Sequence, residues 1–322
     1  MTTHTTSREP SKLQIILAFA AIYVLWGSTY LFIRWGVETI PPFLMAGARH
    51  VIAGALLLAW TRRNNTEKPT RAQWLVCTAI GALLLVGGNG GVTWAEQRVP
   101  SGLAALLVAT MPLWMVLLDW LRPGGARPHG GAAVGLLLGF AGVAVLVGPS
   151  KLGANHVDPL GAVVVVLAAL SWAIGSLYSR RAKLPASLLQ AAAMQSVTGG
   201  FLLLALGSAT DEWTRLDFTA VSVRSVLSLG CLIVFGSLLG FTAYIWLLRA
   251  TTPSRVSTYA YVNPVVAVLL GWTFAGEPLT GRMLGATALI VAAVALVITS
   301  QRRPAAQAKQ EAIPANAAEC AD

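Results

Sequence analysis

Long apolar runs separated by short polar breaks set the rhythm of this chain. Ten such runs occur, at about 13–33, 41–60, 73–94, 101–121, 130–148, 159–178, 188–207, 225–247, 254–274 and 280–299. A helix of about 20 mostly apolar residues crosses the hydrocarbon of a bilayer. The pattern therefore predicts an all-α polytopic membrane protein with ten transmembrane helices. The longest break, about 208–224, holds Asp211, Glu212 and Asp217. Residues 1–12 read as a cytoplasmic leader, and 300–322, made of Ala, Gln, Pro and charge, as a disordered cytoplasmic tail. The first run exceeds the roughly 7–15-residue core of a cleaved signal, and no A-x-A-like site follows it, so it is expected to remain as the first span. The ninth run interrupts itself. Tyr259–Trp272 reads YAYVNPVVAVLLGW, and Pro264 removes a backbone donor and sets its ring against the carbonyl of Ala260.

Composition supports the membrane reading. Apolar residues make up 56% and charged residues 11%, against about 25% charged in soluble domains. The net charge of +10 would suit nucleic acid, but the basic residues sit in short clusters between the runs. With the N-terminus inside, 16 Lys and Arg fall on cytoplasmic segments and 6 on outer ones. That bias places both termini in the cytoplasm and gives no reason to expect a nucleic-acid partner. Cys77, Cys231 and Cys320 have no disulfide or metal spacing. No Walker-type glycine loop, H-E-x-x-H helix or G-x-S-x-G elbow is present. The expectation is a protein without cofactor or metal that is neither an ATP-driven pump nor an intramembrane enzyme.

The halves resemble each other. AGARHVIAGALLL (46–58) and AAMQSVTGGFLLL (192–204) share six of thirteen positions at an offset of 146, which also pairs Trp26 with Trp172. PLWMVLLDW (112–120) and PVVAVLLGW (264–272) align at an offset of 152. Two repeats, 13–149 and 158–299, each hold five spans, so the second must be inverted relative to the first. Inverted repeats are the ground plan of many secondary transporters, with a substrate site between the halves near the midplane.

LWGSTYLFIRWG (25–36), Pro41–Pro42, GARH around Arg49, VPSGLAALLVATMPLW (99–114), YAYVNPVVAVLLGW and GEPLT (276–280) resemble the EamA branch of the drug/metabolite transporter superfamily, most closely its YedA-like subgroup of bacterial inner-membrane proteins. The resemblance covers about 13–299. It implies ten helices in two inverted repeats and export or uptake of small metabolites, amino acids among them. A lipid flippase or multidrug exporter of the same superfamily is the alternative. Where the family often has Gly-Glu after the fourth helix, this chain reads RPGGARPHGG (122–131).

Several polar residues interrupt the apolar runs. Arg49 is the one basic residue deep in a span. Such a charge faces the protein interior or water. It suits either a substrate carboxylate or an anchor to backbone carbonyls or Glu96, and its mate is Gln195. His50 is expected to point elsewhere on the helix, toward a polar neighbour or interface. Trp26, Ser28, Thr29 and Tyr30, with Trp172 and Ser176, suit either a cavity for a small amphiphile or close helix packing. Asn89 lies among glycines in GGNGG. Glu96 is read as a solvated span end, with proton carriage as the other reading. Asp119 and Glu277 are placed at the rims. Glycine series at 131, 135 and 139 and at 281 and 285 read as packing or dimer faces. Pro112, the mate of Pro264, suggests a second bend. Matched bends would turn Thr110, Tyr259, Tyr261 and Asn263 toward the centre. The expected partners are a small-molecule substrate and membrane lipids, with the chain a monomer or homodimer.

Overall fold

The computed structural model describes residues 11–64, 68–123, 125, 127–128, 130–147 and 158–300. The leader up to residue 10 and the tail beyond 300 lie outside them. Among the described residues every regular element is helical. Nine helices among these residues are long and apolar enough to cross a membrane: α1 (Lys12–Gly36), α2 (Pro42–Arg63), α3 (Arg71–Ala95), α4 (Ser101–Leu121), α5 (Gly130–Val147), α6 (Pro159–Ser179), α7 (Leu188–Ala209), α8 (Val223–Leu248) and, last of those described, α10 (Gly281–Ser300). Between the last two lies α9 (Tyr259–Ala275), an apolar helix of 17 residues. The single ninth run expected over 254–274 is thus divided. Pro253–Val256 makes one turn of its own, and α9 starts after it. At 1.5 Å per residue α9 spans about 26 Å, near the ~30 Å of a hydrocarbon core. The chain is an all-α polytopic membrane protein.

Polar residues in the breaks start the helices. Ser11 with Gln14 and Thr70 with Gln73 form capping boxes on α1 and α3, and Asp158, Ser187 and Ser222 accept from the first turns of α6, α7 and α8. These side chains satisfy amide groups that the helix itself leaves open. The bond from the Gly161 N–H holds the Asp158 carboxyl below its usual range. Large apolar side chains such as Leu137, Phe201 and Leu227 stand exposed on the outer helix faces, as lipid contact requires.

The packing repeats the sequence symmetry. α2 lies along α7 and α5 along α10. α6 rests on α3 as α1 rests on α8, and α4 touches α6 as α9 touches α1. Equivalent helices pairing crosswise is what a two-fold between halves produces. Gly54 and Gly200, 146 positions apart, set the α2–α7 approach. A Cβ on either would meet the backbone nitrogen of the facing helix at 2.7 Å. Gly131, Gly135 and Gly139 likewise close α5 onto neighbouring helices, chiefly α10, within the same chain. Gly281 and Gly285, expected to form a matching close face, have open space beside them.

Each half also contains one π-helical stretch, Ala82–Gly90 in α3 and Leu232–Leu239 in α8. The expected matched proline bends are not the matched irregularity. In α4 the regular helix is interrupted by a tighter turn at Ala109–Thr110, still right-handed, and restarts at Met111, so Pro112 sits in a first turn where its missing N–H costs little. Pro264 lies inside the continuous helix α9.

Candidate functional site

A cavity of about 460 Å³ lies between the halves. Its lining is built in pairs. Trp26 and Trp172, Tyr30 and Ser176, Ile33 and Ser179, Arg49 and Gln195, and His50 and Ser196 are each 146 positions apart. Leu84 and Gly236, Leu85 and Ser237, Asn89 and Phe241, Val92 and Tyr244, and Met111 and Asn263 are each 152 apart. The cavity therefore straddles the symmetry axis. Its backbone frame is symmetric and its chemistry is not.

The π stretches form facing walls, and each is buttressed by the other half. The Trp26 indole N–H donates to the Gly236 carbonyl at 3.1 Å, and the Ser171 hydroxyl donates to the Leu83 carbonyl at 2.8 Å. These bonds satisfy carbonyls that a π stretch tilts away from its own axis. Gly88 and Gly240, mates at offset 152, receive the two tryptophans. A Cβ would stand 3.2 Å from Trp172 at Gly88 and 2.5 Å from Trp26 at Gly240.

Polar lining comes from both halves, with Arg49 its one permanent charge among the described residues. Arg49, 7% exposed, donates its Nε to Ser237 Oγ at 2.9 Å. That bond to α8 replaces the backbone or Glu96 anchor that the sequence allowed. Its Nη groups make no hydrogen bond among the described residues. Gly236 makes the approach possible, since a Cβ there would lie 2.9 Å from Arg49 Nη2. Beside it the His50 ring nitrogen Nε2 pairs with Asn89 Oδ1 at 3.1 Å. His50 thus meets a polar neighbour, as expected, and it lines the cavity as well. Trp26, Tyr244 and Tyr259 form an aromatic cluster with ring centroids 5.0 to 5.9 Å apart.

Of the residues singled out from sequence, Trp26, Thr29, Tyr30, Arg49, Asn89, Trp172, Ser176, Gln195, Tyr259 and Asn263 line this cavity. Ser28, Thr110, Pro112, Tyr261 and Pro264 are not among its lining. Ser28 and Thr110 turn their hydroxyls back to Leu25 and Leu107 carbonyls at the helix breaks. Pro264 is buried within α9, and Tyr261 packs on the core around Leu106 and Ile290. Ser237, Phe241 and Tyr244 line the cavity without having stood out in the sequence. The signal for them was the offset of 152 applied to α3 and α8.

The cavity approaches one face of the bundle more closely than the other. It reaches Ser179, Ala192, Tyr244 and Tyr259, near the helix ends on the face where α1 begins, here the terminal face. Polar links between segments cluster at the opposite, distal face. There Glu38 pairs with Arg224, Thr39 bonds Ser225 at 2.8 Å, and Arg98 pairs with Asp158 at 3.2 Å. Glu212 accepts from Leu44 N at 2.9 Å at the start of α2. Gly276, with φ of 65°, ends α9 in a left-handed turn that folds Glu277 back. Its carboxylate then accepts from Ser101 N at 2.6 Å and Gly102 N at 3.0 Å, capping α4. Beneath this seal lies Glu96, which is 0% exposed instead of solvated. Packing of the distal turns over the end of α3 is the reason. Nearer the terminal face, Tyr23 bonds Thr258 across α1 and the start of α9.

Two related helical halves around a cavity on their axis define a membrane transporter. The profile of the EamA-like transporter family matches residues 13–148 and again 159–299, and the chain belongs to that family, within the drug/metabolite transporter superfamily. It is 41% identical over 281 residues to the inner membrane transporter YedA of Escherichia coli (strain K12), covering 87% of this chain and 89% of the relative. It is 27% identical to the transporter YvbV of Bacillus subtilis (strain 168), over 94% of this chain and 97% of that one. A protein of E. coli (strain K12) named "Probable amino-acid metabolite efflux pump" is 26% identical over 84% of this chain and 90% of its own length. One crystal structure superposes with a TM-score of 0.61 at 22% identity, over 91% of this chain and 99% of the other, which shows the shared fold. The protein is a multi-pass transporter of the inner membrane.

Proposed function

We propose that the protein exports a small carboxylate-bearing amphiphile, an amino acid or close relative, by alternating access around the cavity between its halves. The observation that carries this reading is Arg49, a buried guanidinium fixed through Nε to Ser237 with its Nη groups available at the cavity. A carboxylate there would gain charge-assisted bonds in a water-poor site. The aromatic cluster of Trp26, Tyr244 and Tyr259 in the same cavity offers the apolar surface that such a molecule's remainder needs. The name of the efflux-pump relative points to the same substrate class. On the charge bias of the breaks we read the terminal face as cytoplasmic, and on that reading the cavity as described is nearer the cytoplasmic side, with the distal seal closed.

The test is a thermal-shift screen of amino acids and related metabolites on the purified protein and on Arg49→Gln, followed by flux in proteoliposomes. The reading expects ligands that stabilise the parent protein and not the variant, and flux of those same ligands. Equal stabilisation of both proteins would remove Arg49 from the site.

A further inference from the structure

Glu96 presents an unusual combination at the distal seal. It follows Ala95, the last residue of α3, and both its carboxylate oxygens are sealed from solvent without a hydrogen-bond partner. The titratable and charged groups facing it are Tyr30 and Arg34 from α1, Arg49 from α2 and Glu277 from the turn after α9. None neutralises it by contact. Arg34 donates Nη1 to the Glu96 backbone carbonyl, Arg49 gives its Nε to Ser237, and Glu277 is occupied with the first amides of α4. No ion pair to Glu96 occurs among the described residues.

An ionised carboxylate in such a place, sealed from bulk solvent and without a donor among the described residues, is far more costly than a protonated one. Burial first, and the neighbouring Glu277 charge second, raise its pKa well above the ordinary carboxyl range, while Arg34 and Arg49 oppose them. The seal over Glu96 consists of the distal turns that an opening at that face must separate. Opening would return water to the group and, with it, ordinary acidity.

We propose that Glu96 takes up one proton each time the distal mouth closes and releases it to the distal water when that mouth opens. The step transfers one proton from hydronium in the water leaving the closing mouth to one carboxylate oxygen, breaking a hydronium O–H bond as the carboxyl O–H forms, and returns it to distal water on opening. This inference rests on the alternating-access reading above and gives the cycle a proton-linked step. The closed mouth binds the proton more tightly than the open one. Its advantage is therefore complete below the open form's ordinary carboxyl pKa and is lost as pH rises through the raised pKa of the closed form.

The experiment uses the full chain in phosphatidylethanolamine–phosphatidylglycerol vesicles, with native cysteines replaced by alanine. Ser101→Cys reports the opening, because residue 101 is fully buried beside the Glu277 cap. Gln97→Cys, exposed on the same turn, supplies the reagent's own pH dependence, which is divided out. Between about pH 5 and pH 8, normalised maleimide labelling of the Ser101→Cys protein should rise with Glu96 present, by up to about tenfold per pH unit within the window. With Glu96→Gln it should stay at its low-pH value. Infrared spectra of the unlabelled protein should show a protonated carboxylic-acid carbonyl band that fades as pH rises and is missing in Glu96→Gln. Glu96→Asp, which keeps the titration, should restore both pH responses. The infrared titration of the unsubstituted protein needs no variant to fold. Labelling of the Glu96 protein that ignores pH, a response that survives in Glu96→Gln, or a response to sodium at fixed pH would each overturn the proposal. These readouts need no substrate. If they hold while no amino acid is bound or moved, the substrate reading falls and the proton step stands.

Discussion

Arg49 shows how far one residue can be read. Its charge inside an oily run marked it from sequence, yet what holds it came from a helix nearly two hundred positions later. Ser237 and Gly236 together make its seat, one as acceptor and one as space. Gly236→Ala should therefore act like a loss of Arg49. A Cβ there would lie 2.9 Å from Nη2 and 3.0 Å from Thr29 Cγ2, so the guanidinium must move. The expected result is loss of ligand-induced stabilisation in the thermal-shift assay, with the ligand-free melting temperature close to that of the parent. Ser237→Ala should be milder, weakening ligand affinity by about tenfold or less, because it removes one hydrogen bond and no space. Glu96 marks the opposite case. A carboxylate at the end of a hydrophobic run is normally wet, and only the tertiary position of the turns after α9 makes this one dry. His50 meets the polar neighbour expected of it, Asn89, and lines the cavity besides. The preceding Arg49 points about 100° away around the helix, but the cavity wraps far enough around α2 to touch both.

At the level of elements, the number and extent of the helices follow from hydropathy, since every span must be long and apolar whatever it packs against. Their irregularities follow from contacts that hydropathy does not contain. The two prolines illustrate this. Matched in sequence, they occupy different structural positions, Pro112 in a first turn and Pro264 in mid-helix. Pro112→Ala should change stability by no more than about 1 kcal/mol and leave flux near normal. Pro264→Ala restores a donor toward the Ala260 carbonyl, straightens α9 beside Asn263 and Tyr259, and should reduce flux clearly more than it lowers the melting temperature. Equal flux from the two variants would contradict this division. The π stretches carry no local sequence signal beyond their glycines. In each, a side chain of the opposite half, Trp26 or Ser171, reaches in to bond a carbonyl.

For the whole molecule, duplication supplied the frame, and divergence between the copies supplied whatever is specific. The capping carboxylate of Glu277 has Gly125 as its mate at offset 152, so the seal built on α4 has no copy at that position on the terminal face. The cavity diverges in the same way. Gln195 stands where symmetry would put a second Arg49, which raises the question of whether the charge could be carried from the other wall. The mates of Gly236 and Ser237 are Leu84 and Leu85, which offer neither the space nor the hydroxyl that Arg49 uses. Exchanging the pair, Arg49→Gln with Gln195→Arg, should therefore bind ligand no better than Arg49→Gln alone. Adding Leu84→Gly and Leu85→Ser should recover part of the ligand-induced thermal shift, because the arginine then regains its seat on the opposite half. Rescue by the two-residue exchange alone would mean that the guanidinium needs only the shared cavity, and that the divergence of α3 from α8 does not decide where the anion binds.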